Sequence, residues 1–589
     1  MCGIAGWYCS SGSQPGAEVL ERMAVSIRHR GPDDHGFYRD PAAGLALAHR
    51  RLSIIDLSEA SHQPMVDASR QVALTYNGEL YNFRELRREL QGRGHVFRSS
   101  GDTEVVLRSY IEWGVAAFDR FNGMFALALW DGQNQVLHLS RDALGIKPLY
   151  YLPRPDGLFF ASEVKAFLSL PDFRAQADAE SLQQYLEFGY VIDSKATLLA
   201  GVKKLAPGHR LEVRGGRVTT DTAFFVAPAP DRTDARGEAE RVDELAAVLD
   251  QVVEEHLIAD VPVGLLLSGG LDSSVLAALA AKRGPLLTLS MGFGDSDVDE
   301  REHARAVAAH IGSRHVDVLI SPQEIKDEVI TGAWVFDDLF ADWGTLSTRL
   351  LYRRCREMGV KVVLVGEGAD ELFGGYDVFQ VPPKLGLWRK FALYQRYAGR
   401  RYGRFFGEFH RILGEYLDAG KGDAFHAVRL FESTRQLPNQ YVMKVDKASM
   451  AESVEARTPY LDRRVAELAY RTPKDWLLRG GENKVLLRAL ARRQGLLPQA
   501  ISSRKKFGAP LAASWMDEDQ GFRSFARDTL LNAGSVTHRL GLHRAMRAYF
   551  DEGRSGYAFP RALSIFRNLA WRLLLLELWA KHYLAPRPA

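Results

Sequence analysis

Val263-Gly264-Leu265-Leu266-Leu267-Ser268-Gly269-Gly270-Leu271-Asp272-Ser273-Ser274 reads as an apolar run, a glycine turn and the start of a helical pattern. An apolar run of this kind marks a strand buried on both faces, as in a parallel sheet. The turn feeds a helix whose first backbone N–H groups and positive dipole end make an anion site. No Lys-Ser or Lys-Thr pair closes the turn, so it is not the loop that grips β- and γ-phosphates in kinases and GTPases. Strand, glycine turn and helix recur at Val360 to Leu364 followed by Val365-Gly366-Glu367-Gly368-Ala369-Asp370-Glu371-Leu372-Phe373-Gly374-Gly375-Tyr376. Two such units predict an α/β domain with its site at the strand C-termini.

Upstream the pattern changes. To about residue 200, short alternating strands such as Gly44 to His49, Val72 to Tyr76 before Asn77-Gly78, and Met124 to Trp130 before Asp131-Gly132 are interleaved with helical stretches at Asn82 to Gln91 and Thr103 to Trp113. This predicts a layered α+β domain rich in antiparallel sheet. Ala227 to Gly237 is Pro-, Asp- and Arg-rich and reads as a linker before a helix over Glu238 to Leu257. The expected division is 1–205 for the first domain, 206–237 for connecting strands and linker, and 238–589 for the second domain, mostly helical after Tyr376.

A chain of 589 residues is too long for one core. Its formal charge of +3, from 76 basic and 73 acidic residues, argues against a global attraction to nucleic acid or anionic membrane. Cys2, Cys9 and Cys355 form neither a disulfide framework nor a zinc cluster, which fits a reducing cytoplasm. The greasy segment Ala562 to Leu584 carries Arg567, Arg572, Glu577 and Lys581, so it reads as an amphipathic or buried helix rather than a membrane span. A soluble cytoplasmic protein is expected.

Cys2 follows the initiator Met. Trimming of that Met would leave one residue carrying both a thiol, which titrates near about 8.5, and an α-amine near about 7.7–8.0. Nucleophile and base would then share a residue. Downstream come Arg51, Asn77-Gly78-Glu79 and Asp102, with Arg30-Gly31-Pro32-Asp33, His49-Arg50-Arg51-Leu52-Ser53-Ile54-Ile55-Asp56 and Arg141-Asp142-Ala143-Leu144-Gly145. On these residues the first 200 or so positions resemble the glutaminase domain of N-terminal-nucleophile amidotransferases, and the whole chain resembles glutamine-hydrolysing asparagine synthetases. The resemblance implies an αββα N-terminal-nucleophile sandwich followed by a parallel-sheet ATP-pyrophosphatase domain with a largely helical C-terminal part.

It also implies roles. Cys2 attacks glutamine, and Asn77 with the Gly78 N–H forms the oxyanion hole. Arg51 takes the α-carboxylate of glutamine in fork geometry, and Glu79 and Asp102 take its ammonium. Leu52, Ser53, Ile54 and Ile55 complete the glutamine-binding set. In the second domain Ser268, Gly269, Gly270, Asp272 and Ser273 cradle the ATP pyrophosphate, while Leu266, Met291, Val365 and Gly366 contact adenine. Carboxylates beside phosphates repel unless a cation lies between them, so Asp272 and Asp370 are expected to hold Mg²⁺. Glu367 is the family's acid/base residue and Lys484 its charge-neutralising lysine at the α-phosphate. The implied partners are glutamine, ATP and a carboxylate acceptor, aspartate by default, with an enclosed passage for ammonia between the sites.

Phe336 to Gly344 departs from the family's usual run, and Tyr376 to about Phe431 is longer than usual, either of which could reshape an acceptor pocket. A non-aspartate carboxylate, as in natural-product or surface-glycan pathways, is the alternative. A β-lactam-forming cyclase shares the architecture but typically loses the nucleophile that Cys2 provides, and a non-catalytic scaffold conflicts with two intact sites. The stretch Lys384 to Arg404 interleaves basic and aromatic residues. A helical arm with a wet basic face is favoured over a nucleic-acid groove there, and a homodimer or partner surface is the third reading.

Overall fold

The structure is a computed structural model. It describes residues 2–292, 300–380, 414–504, 519–551 and 560–584, apart from positions 11, 232, 343, 417, 421, 422 and 503. The basic stretch Lys384 to Arg404 lies outside the described residues.

The first half is built on two six-stranded antiparallel sheets. Strands β1 (Cys2–Cys9), β2 (Asp34–Asp40), β3 (Leu45–Arg51), β8 (Tyr150–Arg154), β9 (Gly157–Ala161) and β10 (Lys203–Lys204) form one, in the order β10-β8-β9-β1-β3-β2. Strands β4 (Met65–Asp67), β5 (Val72–Leu80), β6 (Gly123–Asp131), β7 (Val136–Arg141), β11 (His209–Arg214) and β12 (Arg217–Ala223) form the other, in the order β12-β11-β7-β6-β5-β4. The strand period of two explains the layering. On β1, Ile4 and Tyr8 join Ala73, Ala126, Ala128 and Trp130 between the sheets, while Ala5, Trp7 and Cys9 face the other way with Leu20, Met23 and Ala24 of the helix Ala17–Ser26. On β5, Val72, Leu74 and Tyr76 turn outward to Val105, Val106 and Phe118 beside the helix Asp102–Trp113. Helix, sheet, sheet, helix is the αββα order that the resemblance implied. Residues 209–223, expected as connecting strands, extend the second sheet through β7.

Asn77-Gly78 has the composition of a two-residue hairpin turn, yet β5 runs straight through it, with Asn77 opposite Ala126 and Gly78 opposite Phe125. A Cβ on Gly78 would lie 2.3 Å from the Met124 carbonyl, so glycine here serves a close strand approach.

The second half is a five-stranded parallel sheet. Its strands are β13 (Val263–Leu266), β14 (Leu287–Gly292), β15 (Arg314–Leu319), β16 (Val362–Leu364) and β17 (Glu455–Arg457), in the order β15-β14-β13-β16-β17. The order reverses between β13 and β16, and the crevice at such a switch point is where ligands bind in open parallel sheets. Helices surround it, and Glu432–Tyr441 forms a π-helical stretch that accommodates Pro438. Among the described residues no helix is long and apolar enough to cross a membrane. Helix Pro560–Tyr583 instead buries Trp571, Leu574 and Trp579 in the core.

The halves are joined by a buried polar seam. Arg30 donates through Nε to the Cys2 carbonyl (3.1 Å), through Nη1 to Glu163 (2.8 Å), and through Nη1 and Nη2 to Asp446 (2.8 and 2.9 Å). Asp337 accepts from the Val164 N–H (2.8 Å), the Lys165 N–H (3.0 Å) and Lys447 Nζ (2.9 Å). Asp338 accepts from the Leu198 N–H at 2.8 Å. Phe336 to Ala341, where the sequence departs from the family's run, therefore packs in this seam, and no described residue of 336–344 lines the cavity at the β13–β16 switch point.

Candidate active site

Two sites emerge, one in each half. In the first, β1 and β3 pair so that Cys2 lies opposite Arg51. The Cys2 N–H donates to Asn77 Oδ1 at 2.8 Å, and the Leu52 backbone hydrogen-bonds the thiol. Asn77 is fully buried, and its Nδ2 has no hydrogen-bond partner among the described residues. A buried unpaired donor is costly unless a ligand atom satisfies it. Its place beside a thiol is where an oxyanion would need it. Burial pushes the Cys2 thiol up, so the thiolate must be generated by a base in the site.

Arg51 spends one N–H on the Ser58 carbonyl (3.1 Å) and one on the Asp56 carbonyl, leaving further donors of its five. Asp56 holds that loop together: its carboxylate accepts from Ser58 N (3.1 Å), Ser58 Oγ (2.5 Å) and Ser100 N (2.6 Å). Ser53 N donates to Asp33 (2.9 Å), and the Ile54 carbonyl accepts from Asp260 N in the second half (2.9 Å). Ile55 is half-buried beside them. These bonds fix the loop, and Leu52, Ile54 and Ile55, being aliphatic, can offer a substrate only main-chain groups or apolar contact. Asp102 accepts from Tyr76 Oη (3.0 Å) and Leu80 N (2.9 Å). Burial, then Glu455 and Asp102, pushes the Glu79 carboxyl well above the usual range, and burial raises Asp102 as well. Both carboxyls are pushed up because the protein supplies too little positive charge around them, and a substrate ammonium beside them would favour their ionised forms.

The second site lies at the switch point. A cavity of about 510 Å³ is lined by Leu266, Ser268, Gly270, Asp272, Ser273 and Met291 from the β13 side, and by Val365, Gly366, Glu367, Asp370 and Lys484 opposite. All the residues expected at ATP or the metal line it except Gly269, which bends the turn at φ +71°. Ser268 and Ser273 hydroxyls bond at 3.0 Å, pinning the turn to the first turn of helix Leu271–Ala281.

At the floor Lys484 Nζ sits 2.5 Å from Asp272 Oδ2 and 2.6 Å from Asp370 Oδ1. Although burial opposes its charge, the two carboxylates raise the Lys484 pKa, so the ammonium persists. A Cβ on Gly375 would lie 1.8 Å from Asp370 Oδ1 and 2.2 Å from Lys484 Cε, so a larger residue there would push these side chains out of their present contact. Two carboxylates that already converge on one cation match the way Mg²⁺ is held by one or two carboxylates plus phosphate oxygens. Arg488 and Arg504 also line the cavity, Arg504 through bonds to the Gly269 carbonyl (3.4 Å) and Glu300 (2.9 Å). Reading the sequence did not single them out, because an arginine in a helical or loop segment carries no local signal of where it folds.

Residues 1–225 match the family model described as a glutamine amidotransferase domain, and residues 244–581 match the one described as asparagine synthase. The chain belongs to the glutamine-hydrolysing asparagine synthetase family. It is 32% identical over 562 residues to glutamine-hydrolysing asparagine synthetase 1 of Bacillus subtilis (strain 168), covering 87% of each chain. It is 30% identical over 599 residues to glutamine-hydrolysing asparagine synthetase 3 of the same organism, covering 95% of each. It is also 32% identical over 409 residues to amidase chyE of Penicillium rubens, covering 64% of this chain and 60% of that one. Membership in the family makes the protein a carbon–nitrogen ligase that uses glutamine as amido donor and ATP as substrate.

The same cavity is also walled by Thr348, Tyr352, Glu371, Tyr376, Tyr441 and Lys444, with Lys444 near enough to Glu367 and Glu371 to feel both charges. Lys444 is charged, its pKa raised by Asp342 and further by Glu367 and Glu371. Glu371 is buried and accepts from Tyr376 Oη at 2.5 Å; burial and then Asp370 push its carboxyl up to about 7.

Proposed function

We propose that the chain converts aspartate to asparagine, with ammonia cut from glutamine at Cys2 and with AMP and pyrophosphate as the nucleotide products. The observation that carries the reading is the Lys484 ammonium bridging Asp272 and Asp370 beside a helix-capped glycine turn. The turn lacks the Lys-Ser or Lys-Thr pair that grips β- and γ-phosphates, which favours bond-breaking at the α-phosphate.

In the first half the processed Cys2 α-amine takes the thiol proton, and sulfur attacks the glutamine carboxamide carbon. Asn77 Nδ2 and the Gly78 N–H meet the developing oxyanion. Collapse expels ammonia, which carries off the proton, and water then cleaves the thioester to glutamate. Arg51 grips the α-carboxylate of glutamine, and Glu79 and Asp102 its ammonium. In the second half an acceptor carboxylate oxygen attacks the α-phosphorus and pyrophosphate leaves, with Lys484 offsetting the extra negative charge. Ammonia attacks the acyl carbon, Glu367 takes a proton, and AMP departs as the amide forms. Mg²⁺ held by Asp272 and Asp370 would screen the pyrophosphate oxygens.

Aspartate is favoured as acceptor because the cavity wall around Glu367 offers both signs of charge. Lys444 can meet an α-carboxylate and Glu371 an α-ammonium. The test is pyrophosphate release with a panel of carboxylates, plus mass spectrometry of the product. Aspartate should give asparagine; AMP and an amide formed only with acids lacking the α-amino acid group would refute the assignment.

A further inference from the structure

Arg457 ends β17, in the half of the chain that handles the nucleotide, yet its side chain leaves that half. Its Nη2 lies 3.5 Å from Glu79 Oε1, in the glutamine site. Nε bonds Glu455 at 2.6 Å, and Nη1 donates to the carbonyls of His256 and Ile258, both at 2.7 Å. All three side chains are buried, with Arg457 at 1%, Glu455 at 0% and Glu79 at 5% exposure. Nε and Nη1 are fully committed to the second half. Nη2 has no hydrogen-bond partner among the described residues and faces Glu79.

Glu79 and Glu455 crowd around one guanidinium, and Asp102 lies near enough to raise the Glu79 carboxyl further. Glu455 also acts on the Cys2 thiol, raising it. The glutamine site is therefore walled on one side by β17 of the other half. The same residue reaches toward ATP through its main chain. The Arg457 carbonyl accepts from Val365 N at 2.9 Å, and Arg457 pairs with Leu364 across β16 and β17. Val365 and Gly366 line the nucleotide cavity immediately before Glu367.

We propose that Arg457 is a positioning residue for glutamine recognition, holding the Glu79 carboxylate from the synthetase half while Glu455 anchors its guanidinium. This rests on the reading of Glu79 as the group that takes the ammonium of glutamine. Arg457 offsets, from a fixed position, part of the upward push that burial, Glu455 and Asp102 exert on the Glu79 carboxyl; its loss would leave Glu79 harder still to ionise and free to rotate away from the substrate. With Arg457 in place, one face of Glu79 is neutralised and its remaining lone pairs are left for the incoming ammonium. Arg is required rather than Lys, since three of its nitrogens are used in three directions at once.

The test uses the full-length enzyme and follows glutamate and amide formation with either nitrogen source. Arg457→Gln should raise the KM for glutamine about tenfold or more, the scale set by losing a charge-assisted contact. The kcat at saturating glutamine should fall far less, and the ratio of glutamine-driven to ammonia-driven synthesis at low glutamine should drop by the same factor as KM rises. Arg457→Lys should recover only part of this, and Arg457→Gln in a Glu79→Gln background should add little. An unchanged KM for glutamine, or equal losses with both nitrogen sources, would overturn the proposal. If Arg457→Gln does not fold, Glu455→Gln tests the same point, since it frees the guanidinium from its anchor and should raise the glutamine KM in the same direction. Glu79→Gln alone separates the two readings: if it leaves the glutamine KM unchanged, the role of Glu79 itself fails, whatever Arg457 does.

Discussion

Replacing Asn77 by alanine should remove catalysis at the first site while leaving the second intact. The side chain does two things that can be separated. Oδ1 accepts from the Cys2 N–H at 2.8 Å, and Nδ2 is a buried donor without a partner among the described residues. Loss of one oxyanion donor costs about 10²–10³ in kcat. The orphaned Cys2 nitrogen adds a stability cost of about 1–3 kcal/mol, since it too is buried. Asn77→Asp isolates the donor, because it keeps an acceptor for Cys2 and places an oxygen where Nδ2 was. Its glutaminase kcat should fall at least as far as that of Asn77→Ala with a smaller loss of stability. Glutamate release under saturating glutamine measures the first effect, ammonia-driven AMP formation provides the internal control, and thermal unfolding measures the stability term. A fall of less than about fivefold in glutaminase kcat for both variants would refute the assignment of the buried amide to the oxyanion. So would an equal fall in ammonia-driven synthesis.

Asp272→Asn or Asp370→Asn should suppress pyrophosphate release with either nitrogen source while glutamate formation continues; pyrophosphate at the wild-type rate would remove these carboxylates from the metal role. Gly375→Ala places a methyl group inside the Asp370–Lys484 contact, so it should displace Lys484 and abolish adenylation, read as lost ATP–pyrophosphate exchange in a folded protein. For Glu371 the folded pKa of about 7 lies above the usual carboxylate value, so the folded state binds the proton more tightly than the unfolded chain. Stability from this group is full below the unfolded value, near about 4.3, and is lost as pH rises through about 7. Glu371→Gln should therefore raise Tm relative to the parent more at pH 8 than at pH 5, and a constant difference across that range would contradict the burial of an ionising group.

The parts that were legible in the sequence are those where local chemistry dictates local structure. The glycine turn after β13 and the Gly366-to-Gly375 loop after β16 could be read because an apolar strand, a turn and a helix each leave their own pattern. Asn77-Gly78 misleads as a turn because its composition is that of a hairpin; only the pairing partner β6, far along the chain, keeps the strand running. Arg457 and Glu455 sit on a three-residue strand, too short for any period to show, and their importance comes from what folds against them. The seam residues Asp337 and Asp338 look like ordinary loop acids, and their burial follows from the docking of the two halves. Arg488 and Arg504 are concealed for the same reason.

Arg30 gives the seam a practical meaning. One guanidinium carries the carbonyl of the nucleophile on one side and Asp446 on the other, with no exposure to water. A cut within the Ala227 to Gly237 linker would part Arg30 from Asp446 and Lys204 from Asp338, while Arg30 keeps Glu163 and Lys447 keeps Asp337. Stranded charges of this kind cost several kcal/mol apiece when they stay buried. Fragments made separately should therefore be poorly behaved in solution, and reassembly by co-expression is the sounder route to an active split enzyme.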